Sequence, residues 1–218
     1  ILDTKEPCTA EHIHLTPEEE ERHVEVHAYP IINARNEVTH IMEYLRDVVG
    51  YDEITKKLKR SLEGIKIAPY YGCVMLRPQD EIQLDDPENP TIIEDFISSL
   101  NAEPVKYPYR TECCGSYLSV SSPDASTRLC YRILTSARKN GAEAMAVSCP
   151  LCFFNLDSRQ KAIAEAYPDF KPLPVFYFTQ LLSVAMGVES GRQGFERHYV
   201  DVGPVLDRIL KSGEEVEE

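Results

Sequence analysis

Five of the seven cysteines occur in three short segments where thiol chemistry is possible. Cys73 stands alone, Cys113 and Cys114 are adjacent and precede a glycine, and Cys149 and Cys152 form a C-x-x-C pair. Thiolates are soft ligands that favour iron–sulfur clusters, zinc or Cu(I). The odd number of cysteines and their wide scatter argue against the disulfide framework of a small secreted protein. Metal or redox chemistry is therefore the first hypothesis for these residues.

The spacing of these cysteines favours a cluster over a single ion. The C-x-x-C turn presents two sulfurs to one centre, and a helix predicted to open at Pro150 lowers their pKa through its amide-rich end. Gly115 lets the backbone approach sulfur and supply amide hydrogen bonds. Adjacent Cys113 and Cys114 cannot easily grip one tetrahedral ion, and five sulfurs exceed the four that a structural zinc uses. An iron–sulfur cluster is favoured; the alternatives are a zinc knuckle, or buried cysteines with one disulfide.

The elements that must position these cysteines alternate between strands and helices. This alternation predicts an α/β fold with a mainly parallel sheet flanked by helices. Each cysteine segment follows a predicted strand, and ligands in such folds collect beyond the carboxyl ends of the strands, so we expect the three loops to meet. The predicted strands are residues 65–71, 105–107, 144–148 and 174–178. The predicted helices are residues 36–49, 52–62, 91–100, 124–139, 151–166, 180–186 and 202–210.

The chain divides into three parts by pattern. We predict an N-terminal helical segment over residues 1–64, a cysteine-rich domain over 65–190, and a C-terminal helix with an acidic tail over 191–218. The two cysteines outside the array are interpreted differently: Cys8 lies in a polar stretch and is expected to be a free thiol, whereas Cys130 lies in an apolar helix and is expected in the core.

A helix start is predicted within the N-terminal segment. Thr16 is a suitable cap, Pro17 suits the first helical position, and Glu19 completes a capping box. On such a helix His23 and His27 would lie one turn apart. Because that spacing alone is a weak metal signal, we interpret them as surface residues.

Composition and charge exclude several function classes. The 218 residues include 23 Lys and Arg against 36 Asp and Glu, which gives a net charge of −13. Such a charge repels phosphate backbones, so we expect no nucleic-acid partner. No apolar run approaches the roughly 20 residues that span a bilayer, so we expect no direct membrane insertion. The lack of a secretory leader and the expected reduced thiols predict a cytoplasmic protein.

Side chains near the cysteines in sequence are candidates for tuning the centre. Arg77, Arg110 and Arg128 are candidates to neutralise an anionic cluster or to bind an anionic substrate, with ordinary salt bridges as the alternative. The pairs Tyr70–Tyr71 and Phe153–Phe154 are expected to pack beside sulfur and limit access of water.

The array and its flanking motifs resemble the cysteine-rich CCG domain found in the B subunit of CoB–CoM heterodisulfide reductase. Related domains occur in glycolate oxidase iron–sulfur subunits and in other oxidoreductase complexes. The similarity is to the second CCG domain of that B subunit and is strongest over residues 65–187. Beside the cysteines it rests on Tyr71-Gly72-Cys73, Asp85-Asp86-Pro87-Glu88-Asn89-Pro90-Thr91, Gly141-Ala142-Glu143-Ala144, Cys149-Pro150-Leu151-Cys152, Gln180-Leu181-Leu182 and Ala185-Met186-Gly187.

The resemblance implies that Cys73, Cys113, Cys114, Cys149 and Cys152 hold a noncubane 4Fe–4S cluster. In the family, this centre reductively cleaves the disulfide of coenzyme M and coenzyme B (CoM-S-S-CoB), a step of methanogenesis. The electrons come from the A and C subunits of the complex, which carry flavin and ordinary iron–sulfur clusters. The resemblance therefore implies an oxidoreductase acting on sulfur groups, active only within a complex.

The sequence departs from the family pattern in three ways. The family's B subunit has two CCG domains with the substrate between their clusters, whereas this sequence has one array. A first CCG domain is therefore expected to be missing or replaced here, or to be present only as a remnant in residues 1–64. Ser116 and Tyr117 follow Gly115 where a glycine-rich turn is commoner, and residues 1–30 match no part of the pattern. The disulfide substrate is accordingly left open.

Three functions remain in competition at the level of sequence. The first is the disulfide-cleaving or electron-transferring iron–sulfur subunit described above. The second is a zinc-binding structural or docking subunit of a redox complex. The third is a thiol–disulfide oxidoreductase that uses Cys149 and Cys152 directly.

Overall fold

The computed structural model describes residues 8–15, 21–28, 41–189 and 191–214. The chain forms two compact units, residues 1–50 and residues 51–218. The cysteine array lies wholly in the second unit. The domain boundaries predicted at residues 64 and 190 remain predictions.

The first unit contains an antiparallel hairpin where the sequence predicted a helix. Strands β1 (Cys8–Leu15) and β2 (Glu21–Ala28) pair with Leu15 opposite Glu21. The helix prediction is therefore wrong over β2, and the proposed cap at residues 16–19 lies outside the described residues. The reason is the alternation of Val24 and Val26 with polar residues, a period of two that suits a strand.

A short helical segment closes the first unit. Helix α1 (Ile41–Tyr44) continues into one wider π-type turn, Leu45–Val49. Gly50 ends it with φ of +82°, and its N–H donates to the Leu45 carbonyl at 3.0 Å. The helix predicted over 36–49 is confirmed from Ile41 onward, and its first residues lie outside the described part of the chain.

The second unit is built on an all-parallel sheet of four strands, which confirms the predicted α/β class. The strands lie in the order β4–β3–β5–β6. Their bounds are β3 (Lys66–Tyr70), β4 (Glu103–Pro104), β5 (Ala144–Val147) and β6 (Val175–Tyr177). The two central strands are almost entirely buried, as expected for a sheet covered on both faces.

Helices cover this sheet and connect its strands. They are α2 (Tyr51–Lys56), α3 (Gln79–Ile82), α4 (Ile92–Ser99), α5 (Pro123–Lys139), α6 (Pro150–Ser158), α7 (Gln160–Ala166), α8 (Phe178–Ala185) and α9 (Gly203–Glu214). Within residues 41–189 and 191–214, none of the helices has the length and apolar character needed to cross a bilayer.

Four elements differ from the sequence-based prediction. Strand β4 comes earlier than the predicted 105–107, because Glu103 and Pro104 pair with the start of β3. The helix predicted over 151–166 is divided at Arg159 into α6 and α7. The predicted loop over 77–90 contains the single turn α3, and the helix predicted over 52–62 ends at Lys56.

Candidate metal centre

The three cysteine segments lie beyond the carboxyl ends of β3, β4 and β5. Gly72 and Cys73 follow β3 directly, and Cys149 occupies the cap position of α6 immediately after β5. Cys113 and Cys114 lie in the longer loop between β4 and α5. The right-handed crossovers of a parallel sheet bring these loops to the same edge.

The sulfurs of these loops form a chain of close pairs. The Cys73 and Cys113 sulfurs are 3.8 Å apart, and the Cys114 and Cys152 sulfurs are 3.5 Å apart. Cys152 also shares a hydrogen bond with Cys149. All these thiols are free. Five soft donors from three distant loops thus lie next to one another.

The paired sulfur donors have the chemistry of an iron–sulfur cluster. Among the described residues, no three His, Cys, Asp or Glu side chains are arranged around a point that would hold one metal ion. The sulfurs approach instead in pairs, with neighbours from different loops. Such pairs can each serve a different metal atom of a larger centre, and thiolates are the ligands that iron–sulfur clusters use. The residues therefore fit an iron–sulfur cluster in number and in kind.

Hydrogen bonds favour thiolates at two of the five positions. The Cys152 side chain lowers the pKa of Cys149 to about 6, assisted by the N–H groups of Cys152 and Leu151 at the start of α6. It likewise lowers the pKa of Cys114 to about 6, assisted by Ser116. The pKa of Cys152 itself is raised, because its hydrogen bonds with Cys114 and Cys149 favour its neutral thiol. The sequence predicted that the amide-rich start of α6 would lower the pKa of these thiols. The hydrogen bond with the neighbouring Cys152 thiol lowers it more.

The half-buried Cys113 thiol is shifted in the opposite direction. Burial raises the pKa of Cys113, although the Gly115 N–H donates to its sulfur at 3.3 Å and opposes the rise. This amide is the backbone donor that the sequence predicted at Gly115.

Two glycines allow the loops to approach each other. Gly72 has φ of +66°, and a Cβ there would lie 3.0 Å from the Cys152 sulfur. Gly115 has φ of +74°, and a Cβ there would lie 2.7 Å from Cδ1 of Leu129. Both positions need a positive φ and have no room for a side chain.

A buried ionic cluster, here called the Glu94 clamp, joins the Cys73 turn to the Cys113 loop. It consists of Tyr71, Glu94 and Arg110. The Tyr71 hydroxyl donates to Glu94, and Arg110 Nε lies 3.2 Å from the other carboxylate oxygen. The Tyr71 N–H also donates to the Arg110 carbonyl at 2.9 Å. Arg110 therefore serves a salt bridge, the alternative that the sequence left open for it.

A second buried cluster, here called the Asn155 latch, joins the Cys114 loop to α6. It consists of Ser126, Asn155 and Arg159. Asn155 Nδ2 donates to the Cys114 carbonyl at 2.8 Å and to Ser126 Oγ at 3.1 Å. Arg159 Nε donates to Asn155 Oδ1 at 2.6 Å. The sequence analysis missed this cluster; the only signal was the three-residue step from Cys149 through Cys152 to Asn155, which places them along one side of a helix.

Cys130 is buried in the core beside this latch, as predicted. Its thiol donates to the Cys114 carbonyl at 3.4 Å and accepts from Asn155 Nδ2 at 3.2 Å. Burial raises its pKa to about 12, so it stays a neutral thiol. Cys8 lies in β1, and its role remains a prediction.

The aromatic neighbours divide between burial and exposure. Tyr70 packs in the core with Cys114 and Cys152, as predicted. Phe153 is partly buried against His198 and Tyr177, but Phe154 is 55% exposed, so the prediction that it shields sulfur is wrong. Other large apolar side chains beside the cysteines are also exposed: Val74 by 67%, Tyr117 by 74% and Leu151 by 65%.

Comparison with known proteins supports the assignment of the five cysteines to one site. Residues 67–157 match the family described as CCG, a cysteine-rich domain. The matched segment contains all five cysteines of the array. This match, with the relatives below, confirms the resemblance predicted from the motifs.

Two curated relatives are 28% identical to this chain. One is the 8-methylmenaquinol:fumarate reductase membrane anchor subunit of Wolinella succinogenes, aligned over 76% of this chain and 58% of that protein. The other is the B subunit of the ferredoxin:CoB-CoM heterodisulfide reductase of Methanosarcina mazei, aligned over 81% of this chain and 59% of that protein. The chain thus spans about three fifths of the length of each relative.

The fold is also found in a solved structure. A hypothetical protein from Helicobacter pylori superposes with a TM-score of 0.58, at 13% identity, over 77% of this chain and 29% of that one. At this identity the similarity concerns the fold alone.

Proposed function

We propose that this chain, whose residues 67–157 match the family of CCG cysteine-rich domains, is the iron–sulfur subunit of a heterodisulfide reductase-type redox complex. Cys73, Cys113, Cys114, Cys149 and Cys152 hold a noncubane 4Fe–4S cluster. The observation that carries this proposal is the chain of close sulfur pairs from three loops inside the matched segment. When bound, such a cluster supplies one-electron chemistry at sulfur-ligated iron.

The proposed reaction is reductive cleavage of a small-molecule disulfide, CoM-S-S-CoB or a similar mixed disulfide. The S–S bond accepts two electrons and two protons and becomes two thiols. The electrons come from partners of the A and C type, which carry flavin and iron–sulfur clusters. This chain provides the thiolate ligands, the glycines that let its loops meet, and the buried clusters that hold those loops.

The exposed apolar side chains support a partner at this edge. Val74, Tyr117 and Leu151 belong to the three cysteine loops and are each more than half exposed. Exposed apolar groups gathered around a site mark contact surfaces more often than free ones. We place the complex in the cytoplasm, because free thiols persist in reducing compartments.

A second candidate function is electron transfer without disulfide cleavage. It is favoured by the fumarate reductase anchor subunit, which is as similar to this chain as the heterodisulfide reductase protein is. In that case the same cysteines hold a cluster that passes electrons to another subunit. The zinc-binding docking module is the remaining alternative.

A disulfide-reductase assay on anaerobically prepared protein tests the proposed function. Reduced viologen dye supplies electrons, CoM-S-S-CoB is the substrate, and thiol release is measured. We expect Cys73→Ser to abolish both activity and visible absorbance. The matched control Cys130→Ser changes a buried cysteine outside the array and should keep both.

The outcomes separate the candidates. Reversible one-electron reduction without thiol release identifies the electron-transfer function. Activity that survives Cys73→Ser but not Cys149→Ser identifies a thiol–disulfide oxidoreductase. A colourless protein with bound zinc identifies the docking module.

A further inference from the structure

Asn155 lies in the protein interior between a cation and the loop that carries Cys114. It follows Cys152 by one helical turn on α6 and is 1% exposed. Its Nδ2 donates to the Cys114 carbonyl at 2.8 Å, and its Oδ1 accepts from Arg159 Nε at 2.6 Å. One amide group therefore links the guanidinium to the peptide of Cys114.

The orientation of this amide is fixed by its partners. A guanidinium has no acceptor, so the oxygen of Asn155 must face Arg159. A carbonyl has no donor, so the nitrogen must face Cys114. The reverse orientation would break both hydrogen bonds. Replacement by aspartate would leave Arg159 paired but would set an oxygen against the Cys114 carbonyl.

Arg159 also holds the chain that follows the cysteine pair. Its Nη2 donates to the Ser119 carbonyl at 3.1 Å. Its Nη1 approaches the Pro123 carbonyl at 3.5 Å and Thr127 Oγ1 at 3.4 Å. One side chain thus joins the end of α6 to the loop after Gly115 and to the start of α5. A planar fork with fixed donors suits this task better than a lysine.

Among the described residues, no carboxylate forms a salt bridge with the Arg159 guanidinium. In the described part of the chain, the salt bridges involve other cations, among them Arg110 with Glu94. Arg159 faces carbonyl, hydroxyl and amide oxygens instead. This cation lies one amide away from the peptide of Cys114, so its positive charge can act on a centre made of anionic thiolates.

We propose that Arg159, acting through Asn155, is the positioning residue of the Cys113–Cys114 loop and supplies the internal positive charge that the thiolate centre faces. The nature of that centre rests on the proposed function. The fastening of the loop follows from the hydrogen bonds alone. The two parts, position and charge, are separable by substitution.

Three variants and one control separate them. Arg159→Lys keeps the charge and loses the fork, Arg159→Gln loses both, and Asn155→Asp keeps Arg159 but loses the donor to Cys114. Arg138→Gln removes an exposed arginine elsewhere and is the matched control. The full-length chain is prepared anaerobically, and thermal unfolding verifies that each variant is folded.

The first readout is the rate at which a chelator removes the metal that the protein holds as purified. We expect release to be about tenfold faster in all three variants, as when a charge-assisted hydrogen bond is lost from a local opening equilibrium. The control should release metal at the wild-type rate. Metal release at the wild-type rate in Arg159→Lys and Asn155→Asp would overturn the positioning role. These two variants are sufficient for the test if Arg159→Gln does not fold.

The second readout is the midpoint potential of the centre. Loss of the positive charge disfavours the reduced state, so Arg159→Gln should shift the potential in the negative direction. The expected size is about tenfold in the ratio of reduced to oxidised centre, or ~59 mV for one electron. Arg159→Lys should shift it much less. A wild-type potential in Arg159→Gln would overturn the charge role.

The test remains decisive if the proposed function fails. A wild-type chain that holds zinc or no metal refutes the iron–sulfur assignment. The fastening is then measured by alkylation of Cys114 with iodoacetamide, followed by mass spectrometry of the full chain. Faster alkylation in Asn155→Asp and Arg159→Lys than in Arg138→Gln supports the positioning role, and equal rates overturn it.

Discussion

The Glu94 clamp and the Asn155 latch hold different pairs of cysteine loops together, and they do so with different chemical groups. The clamp joins the Cys73 turn to the Cys113 loop through a carboxylate, a phenol and a guanidinium. The latch joins the Cys114 loop to α6 through an amide, a hydroxyl and a guanidinium. Only the clamp contains a carboxyl group, and burial raises the pKa of that carboxyl above its ordinary value.

This difference predicts which of the two clusters responds to a change of pH. Burial raises the pKa of Glu94, although Tyr71 and Arg110 favour its charged form. The latch consists of an amide, a hydroxyl and a guanidinium. The clamp should therefore be sensitive to pH, whereas the latch depends on hydrogen-bond geometry alone.

The largest effect is expected from removing the latch amide. Asn155→Leu keeps the number of side-chain heavy atoms but removes the amide from buried Ser126 Oγ and half-buried Arg159 Nε, and it leaves the Cys114 carbonyl with only the weak Cys130 thiol donor. At about 1–3 kcal/mol for each orphaned group, the free energy of unfolding should fall by ~3 kcal/mol or more. Urea denaturation measures it. The exposed Asn140→Leu is the control, and a loss equal to the control would contradict the role of the latch.

The next largest effect is expected at the turn between the cysteine pair and α5. In Gly115→Ala the new side chain sits on a left-handed backbone, which costs about 1–2 kcal/mol. Its Cβ also makes a close contact with Leu129. Gly141→Ala has the same backbone penalty but nothing within 4 Å, so the difference between the two variants isolates the close contact. Equal losses of unfolding free energy in the two variants would show that the loop at Gly115 has room for a methyl side chain.

A smaller, pH-dependent effect is expected at the clamp. The pKa of Glu94 is raised in the folded state, so its contribution to stability is complete below the ordinary glutamate value of about 4.3 and is lost as pH rises through the folded pKa. Glu94→Gln mimics the protonated form at every pH. The stability of Glu94→Gln relative to wild type should therefore increase with pH above that value and then level off.

The control for this experiment follows from the groups around Glu94. Tyr71, Arg110 and Asp85 contribute to its titration. Asp85→Asn would change a neighbouring charge without removing Glu94, so the wild-type pH dependence should largely survive. A difference between Glu94→Gln and wild type that is constant from about pH 4 to about pH 8 would rule out titration of the clamp.

The smallest effect is expected from an exposed salt bridge far from the cysteines in the fold. Arg208 pairs with Glu143 at the start of β5, the strand end opposite to that of Cys149, with side chains 48% and 34% exposed. Such pairs contribute about 0–1 kcal/mol. Arg208→Gln should thus change the unfolding free energy by less than ~1 kcal/mol and leave metal binding unchanged. A larger loss of unfolding free energy would mean that exposed ion pairs stabilise this fold as strongly as buried ones do.

The strands that carry the cysteines were predictable because they are buried on both faces. Continuous apolar runs bounded by glycine and proline located β3, β5 and β6 to within about two residues, the usual uncertainty of element ends. Strand β4 was misplaced, because only Glu103 and Pro104 pair and the apolar residues follow them. The hairpin was missed, because a helix-capping pattern at Thr16 preceded a segment with strand periodicity.

The cysteines of the site were predictable from residue type, whereas their supports were not. Thiol clusters are rare enough in sequence to indicate their chemistry. Asn155, Arg159 and Glu94 are common residues whose roles come from partners far along the chain, such as Cys114 for Asn155. Tertiary structure alone brings them together.

Iron, sulfide and zinc content of the anaerobically prepared chain tests the central claim most directly. The account predicts about four iron and four sulfide per chain, with little zinc, and loss of the iron and sulfide in Cys73→Ser. Stoichiometric zinc without sulfide, or iron binding that ignores Cys73, would contradict it.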